Sequence, residues 1–514
     1  MKRPSGIGRR DFLERIAGAS AFAFLDGPSP IMRRNAARPH AIAIASGDVD
    51  GGRAIVWGQC DRTAKMVVEY ATTESFSDSR RLLGPTATAA TDYTARLDLT
   101  GLPPGQRVFY RVSFQDAADR SSRSEPLVGR FRTAPASKGG VSFAWGGDVA
   151  GQGWGIDKGR GGFAIFDALR KAEPDVFIHS GDAIYADNPL QEEVKLDDGT
   201  VWRNIVTPFK SKVAETLAEF RGNYRYNLID DHYRAFQAEV PWVMQWDDHE
   251  VLNNWYPGEI QDDDRYEVKD VSLLASRAKR AFLEYAPLRV TASDPKRIYR
   301  KLSYGPSLDV FVLDLRTYRG ANGPNKEPAG ARILGAAQTA WLIAGLTAST
   351  ATWKVIACDM PIGLVVDDGE RAFEAVANGD AGAPLGREVE IAEVLKAAST
   401  RGVRNIVFVT ADVHYAAAHH FHPDRAAFKE FHPFWEFVAG PLHAGTFFNG
   451  TLDPTFGPEA RFRAVPADMK PNRPPGEGLQ FFGRGVISPA EVLTVSLHDR
   501  TGRQIYSVDL DPAG

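Results

Sequence analysis

The spacing of apolar residues along the chain changes near residue 140. Between residues 41 and 134, short runs alternate apolar and polar positions and are separated by Gly and Pro clusters, a pattern typical of short β-strands. The clearest runs span residues 54–57, 66–70, 94–97 and 108–112. We therefore predict a small all-β sandwich of the fibronectin-III or immunoglobulin type over residues 41–135, followed by a Gly-rich linker.

Beyond the linker, apolar strands alternate with segments of helical periodicity, which is the pattern of βαβ units. Strands are predicted at residues 141–145, 176–178, 242–246, 308–313, 353–357, 405–409, 434–438, 493–497 and 505–510. Helices are predicted at residues 163–171, 212–239, 271–286, 338–346 and 390–397, and polar loops at residues 187–207 and 322–332. The pattern therefore predicts an α/β body over residues 141–514.

Acidic and imidazole side chains follow several of these strands at the point where each strand ends. They are Asp148, Asp182 with Tyr185, Asp247, Asp248 and His249 with Asn253, Asp359, and Asp412 with His414. Each alone has an ordinary structural explanation as a turn residue, a helix N-cap or a hydrogen-bonded core residue. Because an α/β sheet gathers its strand ends at one edge, we expect these side chains to share a cleft.

So many carboxylates cannot share a dry cleft without cations, since like charges would force them to hold protons. Oxygen ligands with few nitrogens favour Fe³⁺, Mn²⁺, Mg²⁺ or Ca²⁺ over a thiolate zinc site. A carboxylate that bridges two ions would make the centre binuclear, an arrangement suited to phosphate ester cleavage. The chain has no GxSxG elbow and no P-loop, which argues against a serine hydrolase and an NTPase.

Composition narrows the class of protein without indicating a chemistry. The 514 residues are 43% hydrophobic and 25% charged, as in ordinary globular proteins, and the net charge of −4 indicates no specific nucleic-acid surface. Cys60 and Cys358 are the two cysteines, which excludes a disulfide framework and a thiolate metal cluster. A single long-range disulfide between these two cysteines remains an alternative that the sequence does not exclude.

The N-terminal segment is typical of a targeting signal. Arg9-Arg10 is followed by Asp11-Phe12-Leu13 and by a short apolar stretch over residues 16–25, as in a twin-arginine signal. The alternative is a basic amphipathic helix at the terminus. No other stretch is apolar for the roughly 18 residues that a membrane span needs. We therefore predict a leader over residues 1–40, the twin-arginine export machinery as a partner, and a periplasmic or secreted location.

Four stretches carry a resemblance to a known family. HSGDAIYAD, WDDHEVLNNW, VLDLRTYR and TADVHYAA, behind a β-sandwich and a twin-arginine signal, resemble the PhoD-type alkaline phosphatases. These are relatives of the calcineurin-like metallophosphoesterases and of the purple acid phosphatases. The resemblance covers nearly the whole chain and implies a four-layer α/β/β/α metallophosphoesterase domain. It also implies a ferric ion and one or two calcium ions as cofactors, while Mn²⁺, Mg²⁺ and Zn²⁺ stay open as alternatives.

The resemblance also implies roles for individual residues. Asp182 would bridge the metals, and Tyr185 would bind Fe³⁺ as a phenolate. Asp148 and His414 would complete the iron site. The other metal or metals would be held by a set chosen from Asp248, Asn253 and Asp412, and Asp359 joins the candidate ligands through its strand-end position.

Two features depart from the family pattern. Typical members carry a cysteine iron ligand after the first strand of the α/β body, where this chain has Trp145-Gly146-Gly147-Asp148. Many relatives also have Tyr-Glu-Tyr-Gly after the tyrosine motif, where this chain has Ala186-Asp187-Asn188. These departures leave open the identity of the iron-site metal and the shape of the pocket rim.

The expected reaction is hydrolysis of a phosphate ester by metal-activated water at a binuclear or multinuclear site, with no covalent intermediate. His249 is expected to protonate the leaving group, and Arg316 with Arg319 to neutralise developing charge, although both arginines suit structural ion pairs equally well. A phosphodiesterase or phospholipase-D-like hydrolase on the same site is the first alternative. A catalytically dead exported binding protein is the second.

Overall fold

The computed structural model describes residues 38–327, 331–448 and 450–513. The predicted twin-arginine motif and its apolar stretch lie outside the described residues. The described residues from Pro39 onward form one compact unit. Among the described residues, no helix is both long enough and apolar enough to cross a bilayer.

The described part of the chain contains seven strands before residue 135 and fifteen after it. The first seven are β1 (Ala41–Asp50), β2 (Arg53–Cys60), β3 (Ala64–Ala71), β4 (Arg80–Ala87), β5 (Thr94–Leu99), β6 (Arg107–Asp116) and β7 (Leu127–Arg132). The next seven are β8 (Val141–Gly146), β9 (Val176–Ser180), β10 (Glu193–Lys195), β11 (Val201–Arg203), β12 (Trp242–Gln245), β13 (Arg300–Ser303) and β14 (Leu308–Val312). The last eight are β15 (Trp353–Ala357), β16 (Ile406–Thr410), β17 (Ala417–Phe421), β18 (Phe434–Val438), β19 (Pro458–Arg463), β20 (Phe481–Ile487), β21 (Leu493–Asp499) and β22 (Gln504–Leu510).

Six α-helices accompany these strands in the described residues, and all of them follow β8. They are α1 (Ile165–Lys171), α2 (Leu217–Asn227), α3 (Asp231–Glu239), α4 (Val271–Tyr285), α5 (Ala336–Ala348) and α6 (Glu388–Thr400). The predicted all-β N-terminal segment and the α/β body after it are therefore confirmed.

Two large sheets form the body. The first runs β22-β21-β20-β8-β9-β12-β1-β2-β5, and the second runs β13-β14-β15-β16-β18-β17-β19. Strands β8, β9 and β12 are parallel to one another, as are β14, β15 and β16. Parallel neighbours bring their carboxyl ends to the same edge, so each sheet presents three strand ends together.

Side-chain alternation along the strands separates the core into three clusters. Phe143 and Trp145 of β8 join one cluster with Val310 of β14 and Phe437 of β18, and the Trp145 and Phe437 rings lie 6.4 Å apart. The opposite face of the first sheet packs on α1 to α4, and that of the second packs on α5 and α6. The three clusters are those expected of helix, sheet, sheet and helix in succession.

The N-terminal strands divide between two sheets. Strands β4, β3, β6 and β7 form a separate four-stranded sheet, whereas β1, β2 and β5 extend the first large sheet, because β1 pairs in parallel with β12 at Gly47 and Trp242. The prediction of an isolated sandwich missed this continuity. The predicted boundaries at residues 40, 135 and 141 stay predictions.

Two local predictions were wrong, and one open alternative is excluded. The helix predicted over residues 212–239 is two helices, because Asp230 caps α3 by accepting from the Tyr233 backbone N–H at 3.0 Å and also accepts from that of Phe163 at 3.0 Å. The loop predicted at residues 187–207 contains the β10–β11 hairpin. The disulfide left open is not formed, since Cys60 and Cys358 are both free and buried.

Candidate metal centre

Acidic residues follow each of the six parallel strands, and those after five of the strands converge between the two sheets. Asp314, after β14, instead accepts from the Trp246 indole N–H at 2.9 Å. Asp148 follows β8, Asp182 follows β9, Asp247 and Asp248 follow β12, Asp359 follows β15, and Asp412 follows β16. Asp359 is fully buried, and Asp148, Asp182 and Asp248 are at most 2% exposed. Such burial of carboxylates requires a compensating positive charge or bound protons.

Three groups of side chains each bring their ligand atoms within 4.8 Å of one another. The groups are Asp148 with Asp182 and His414, then Asp182 with Asp248 and His249, and then Asp247 with Asp248 and Asp412. Asp182 belongs to the first and second groups, and Asp248 to the second and third. The three groups are therefore connected through shared carboxylates, as in centres where one carboxylate bridges two ions.

The backbone at these positions is in the left-handed region that non-glycine residues rarely adopt. The φ angle is 70° at Asp148, 51° at Asp182, 66° at Asp412 and 59° at His414. Each such residue costs of order 1 kcal/mol and persists only where the surroundings impose it. The sharp strand-end turns aim the side chains into the cleft. Gly181 has a φ of 97°, and a Cβ there would collide with Asp247.

His414 has one ring nitrogen fixed and the other facing the acids. Its Nδ1 lies 2.5 Å from the Gly445 carbonyl, which fixes the tautomer with the proton on Nδ1. Its Nε2 lies 2.7 Å from the Tyr185 hydroxyl and 3.8 Å from Asp148 Oδ1. Burial lowers the pKa of His414 to about 4, so its imidazole is neutral near neutral pH. Nε2 then accepts from the Tyr185 hydroxyl and has the lone pair that a metal would need.

His249 is held in the same way by a carboxylate. Its Nδ1 lies 2.7 Å from Asp187 Oδ1, and Asp187 Oδ2 accepts from the Asn253 backbone N–H at 3.0 Å. Its Nε2 faces Asp248 Oδ2 at 3.9 Å. Burial disfavours the imidazolium, but the charges of Asp187 and Asp248 outweigh burial and raise the pKa of His249 to about 10 without a metal.

Arg316 is a fully buried guanidinium among five carboxylates. Its Nε donates to Asp247 at 2.6 Å and lies 3.3 Å from Asp359, and one terminal nitrogen bonds Glu374. The other terminal nitrogen lies 3.4 Å from Asp412 and 3.8 Å from Asp248. All three acids of the third group contact Arg316, so this group already has a resident positive charge, which the second group reaches through the shared Asp248.

Glu250 orders the loops that carry the acids. Its carboxylate accepts from the backbone N–H groups of Asp182 at 3.1 Å, Ala183 at 2.7 Å and Asp247 at 2.7 Å. Burial nevertheless raises the pKa of Glu250 to about 8. One buried side chain thus ties the ends of β9 and β12 together.

Several buried carboxylate oxygens of the site have no hydrogen-bond partner in the part of the chain that the structure describes, as expected of ligands for a bound cation. Both Asp148 oxygens, Asp247 Oδ2 and Asp248 Oδ1 are buried without a hydrogen-bond partner among the described residues. Burial, followed by neighbouring carboxylates, raises the pKa of Asp148 and of Asp182 well above the usual range. Native proteins rarely leave so many buried oxygens unsatisfied. Oxygen-rich groups with at most one imidazole each suit hard cations, which would return these acids to their charged form.

The site residues predicted from the sequence lie partly inside and partly outside the three groups. Asp148, Asp182, Asp248, His249, Asp412 and His414 lie in the three groups, and Tyr185 contacts the first. Asp359 adjoins Arg316 and lies outside the groups. The side chain of Asn253 is exposed, and its backbone N–H contacts Asp187. Arg319 is buried, 3.8 Å from Glu374.

The sequence analysis gave no site role to four participants, and only some of them carried a recognisable sequence signal. Asp247 stands beside Asp248, and Asp187 ends the same motif as Asp182, so both were visible as acids at strand ends. Glu250 lies in the same DDHE run. Glu374 follows no predicted strand, and only the tertiary structure reveals its contact with Arg316.

The fold is similar to those of two solved structures. The solved structure of PhoD superposes with a TM-score of 0.67 at 22% identity, covering 91% of this chain and 92% of that one. A purple acid phosphatase isolated from yellow lupin (Lupinus luteus) seeds superposes with a TM-score of 0.54 at 10% identity, covering 92% of this chain and 74% of that one. These likenesses confirm the predicted fold class.

Family models match most of the sequence. The model of the PhoD-like phosphatases matches residues 143–492, and that of the PhoD-like phosphatase N-terminal domain matches residues 27–135. Alkaline phosphatase D of Bacillus subtilis (strain 168) is 26% identical over 458 residues, which cover 81% of this chain and 73% of the relative. The chain belongs to the PhoD-like phosphatase family, as its motifs predicted.

Proposed function

We propose that this chain is an exported alkaline phosphatase that hydrolyses phosphate esters at a multinuclear metal centre. The observation that carries the proposal is the sharing of Asp182 and Asp248 between adjacent groups of ligand atoms. Cations at such a centre supply Lewis-acid polarisation of a phosphoryl oxygen and a lowered pKa for a coordinated water. The twin-arginine motif at Arg9-Arg10 supports export to the periplasm or the medium.

The residues of the chain bind and orient within this centre. We assign Asp148, Asp182, Tyr185 and His414 to one cation, and Asp182, Asp248 and His249 to a second. The third group, which contains Asp412, already contacts the Arg316 guanidinium, so its need for a cation is smaller. The position of His249 within the second group favours a ligand role over the leaving-group acid that the sequence suggested.

Metal removal tests the proposal. Metal-replete protein is expected to hydrolyse p-nitrophenyl phosphate, and exhaustive chelation is expected to abolish hydrolysis until metal is restored. Bis(p-nitrophenyl) phosphate, measured in parallel, separates a monoesterase from a phosphodiesterase or phospholipase-D-like enzyme. Hydrolysis of neither ester by metal-replete protein would favour a catalytically dead binding protein.

Iron in the first group would be visible through Tyr185. We propose Fe³⁺ with Ca²⁺ as the native metals, as the resemblance implies. The native protein is then expected to be coloured by phenolate-to-iron charge transfer, and Tyr185→Phe is expected to lose the band in an absorption spectrum. Tyr266→Phe is the control, since Tyr266 is also buried but belongs to none of the three groups of ligand atoms and does not contact His414. A colourless, iron-free and fully active enzyme would contradict the assignment of iron and leave the fold intact.

Asp187 is expected to raise the affinity for the second cation, because it orients the ligand His249. Carboxylates that orient a ligating imidazole commonly contribute about 10- to 100-fold to metal affinity. Asp187→Ala is therefore expected to weaken binding of one metal by about that factor, measured by competition with a chelator. The metal affinity of Asp187→Asn should lie between those of the wild-type chain and Asp187→Ala, because the asparagine amide oxygen still accepts from His249. Asp264→Ala, at an exposed loop position, is the control; equal affinities in all variants would exclude the role.

A further inference from the structure

Lys210 is a buried lysine in the loop between β11 and α2. It is 2% exposed, and its Nζ donates to the backbone carbonyl of Tyr185 at 2.8 Å and, more weakly, to that of Ala150 at 3.4 Å. The same Nζ lies 5.9 Å from the ring centroid of Tyr226. Among the described residues, no carboxylate forms an ion pair with Lys210. Its polar contacts are therefore with backbone oxygens.

Burying an amine in this way is costly. Burial lowers the pKa of Lys210 to about 7, and the charge of Asp187 opposes that shift. Both the charged and the neutral amine carry N–H donors, so the two carbonyl contacts do not depend on which form is present. A methionine of similar length would fill the same space without the cost of burying a polar group. The carbonyl contacts are therefore what distinguishes lysine from an apolar side chain at this position.

The two carbonyls belong to the loops that carry candidate ligands of the first group. Ala150 is two residues after Asp148 in the loop that follows β8, and Tyr185 lies in the loop that follows β9. Ala150 has a φ of 67°, in the left-handed region that needs support from its surroundings. Lys210 therefore links these two loops, as Glu250 links the loops that follow β9 and β12.

The place of the Tyr185 ring depends on both loops. A Cβ on Gly151 would collide with this ring, so the loop after β8 packs directly against it. The centroid of the His249 ring lies 4.3 Å from that of Tyr185, and the Tyr185 hydroxyl meets His414 Nε2 at 2.7 Å. A metal ligand must be held within about 0.5 Å of its productive place. A shift of one loop against the other would therefore move the hydroxyl away from the first group.

We propose that Lys210 is a positioning residue for the cation of the first group, because it joins the loops after β8 and β9 and so places the Tyr185 hydroxyl beside Asp148 and His414. The inference rests on the proposed function in that these side chains are taken as ligands of one cation. Lys210 itself contacts neither cation nor substrate. Its loss would weaken binding of the first cation and affect the second less.

The test follows the ionisation of Tyr185 as Tb³⁺, a hard trivalent cation, is added to the chelated full chain. A cation that binds the phenolate releases the phenol proton to the buffer, which gives an ultraviolet difference band that Tyr185→Phe should lack. Lys210→Met is expected to raise the Tb³⁺ concentration at half-saturation of this band about tenfold or more, as loss of other groups that orient a metal ligand does. A lysine with a merely structural role would lower the urea midpoint and leave that concentration unchanged.

Lys354→Met is the matched control. Lys354 is also a buried lysine, 8% exposed, but it lies near the start of β15, at the opposite end of that strand from Asp359. Its variant should keep the half-saturation within about twofold of the wild-type value, as expected of a site distant from the metal. If Lys210→Met does not fold, Lys210→Gln should give a smaller increase, because its amide keeps N–H donors on a shorter side chain.

The outcomes separate this inference from the proposed function. Unchanged half-saturation in a folded Lys210 variant would overturn the inference. A wild-type chain that hydrolyses phosphate esters without ionising Tyr185 would also overturn it and leave the hydrolysis standing. A chain that ionises Tyr185 but hydrolyses neither ester would contradict the proposed hydrolysis alone, and the shift in Lys210→Met would still support the positioning role.

Discussion

Asp182→Asn is expected to remove metal from two groups at once and to lower the turnover of phosphate esters by about a thousandfold or more, equivalent to about 4 kcal/mol of transition-state stabilisation. The reason is that Asp182 is the carboxylate common to the first and second groups. Asparagine keeps the side-chain volume, and its Oδ1 can still accept from the His249 backbone N–H, which lies 3.1 Å from Asp182 Oδ1. Elemental analysis and steady-state kinetics on the same preparation measure both effects.

Asp359→Asn is the matched comparison for Asp182→Asn. Asp359 is also a fully buried aspartate directly after a parallel strand, yet it contacts Arg316 and lies outside the three groups. Its variant is expected to retain most of the metal. If Asp182→Asn instead kept full metal content and turnover, the assignment of a shared centre would be wrong. If Asp359→Asn lost metal equally, the centre would extend further than the three groups indicate.

The acidic residues at the strand ends of the body could be predicted because the sequence pattern that marks them is local. An apolar run, a turn and then an acid can be read within ten residues, and the left-handed turns at Asp148, Asp182 and Asp412 follow directly from such segments. The sequence therefore identified most members of the three groups. The sequence could not distinguish Asp359 from the members of the three groups, because the same local pattern precedes Asp359. The distances between these carboxylates depend on the register between strands, which the sequence does not show.

The partners of the site residues were less predictable, because their contacts join distant parts of the chain. His249 meets Asp187 across 62 residues, and Arg316 meets Glu374 across 58. No periodicity relates such positions. The pairing of β1 with β12 is equally remote in sequence, which is why an isolated sandwich was expected where one of its sheets continues into the body.

Arg316→Met is expected to destabilise the metal-free protein by about 3–5 kcal/mol, because it leaves buried carboxylates without their cation. The contacts with Asp247, Asp359, Glu374 and Asp412 are the basis of this expectation. Urea denaturation after chelation measures the loss. Arg53→Met is the control, since the pair of Arg53 with Asp98 is solvent-exposed and should contribute about 1 kcal/mol or less.

The pH dependence of that loss identifies its cause. Burial raises the pKa of Asp359, of Glu374 and of Asp412, so these groups take up protons in the folded state more readily than in the unfolded chain. Removing Arg316 raises those folded-state pKa values further. The resulting loss of folding stability is full at a pH above the raised pKa values. It diminishes as the pH falls, because the carboxyls then become neutral. The gap between the wild-type chain and Arg316→Met should therefore narrow toward acidic pH. A variant of unchanged stability with severely reduced turnover would instead make Arg316 a residue that contacts the phosphoryl group, as its strand-end position first suggested.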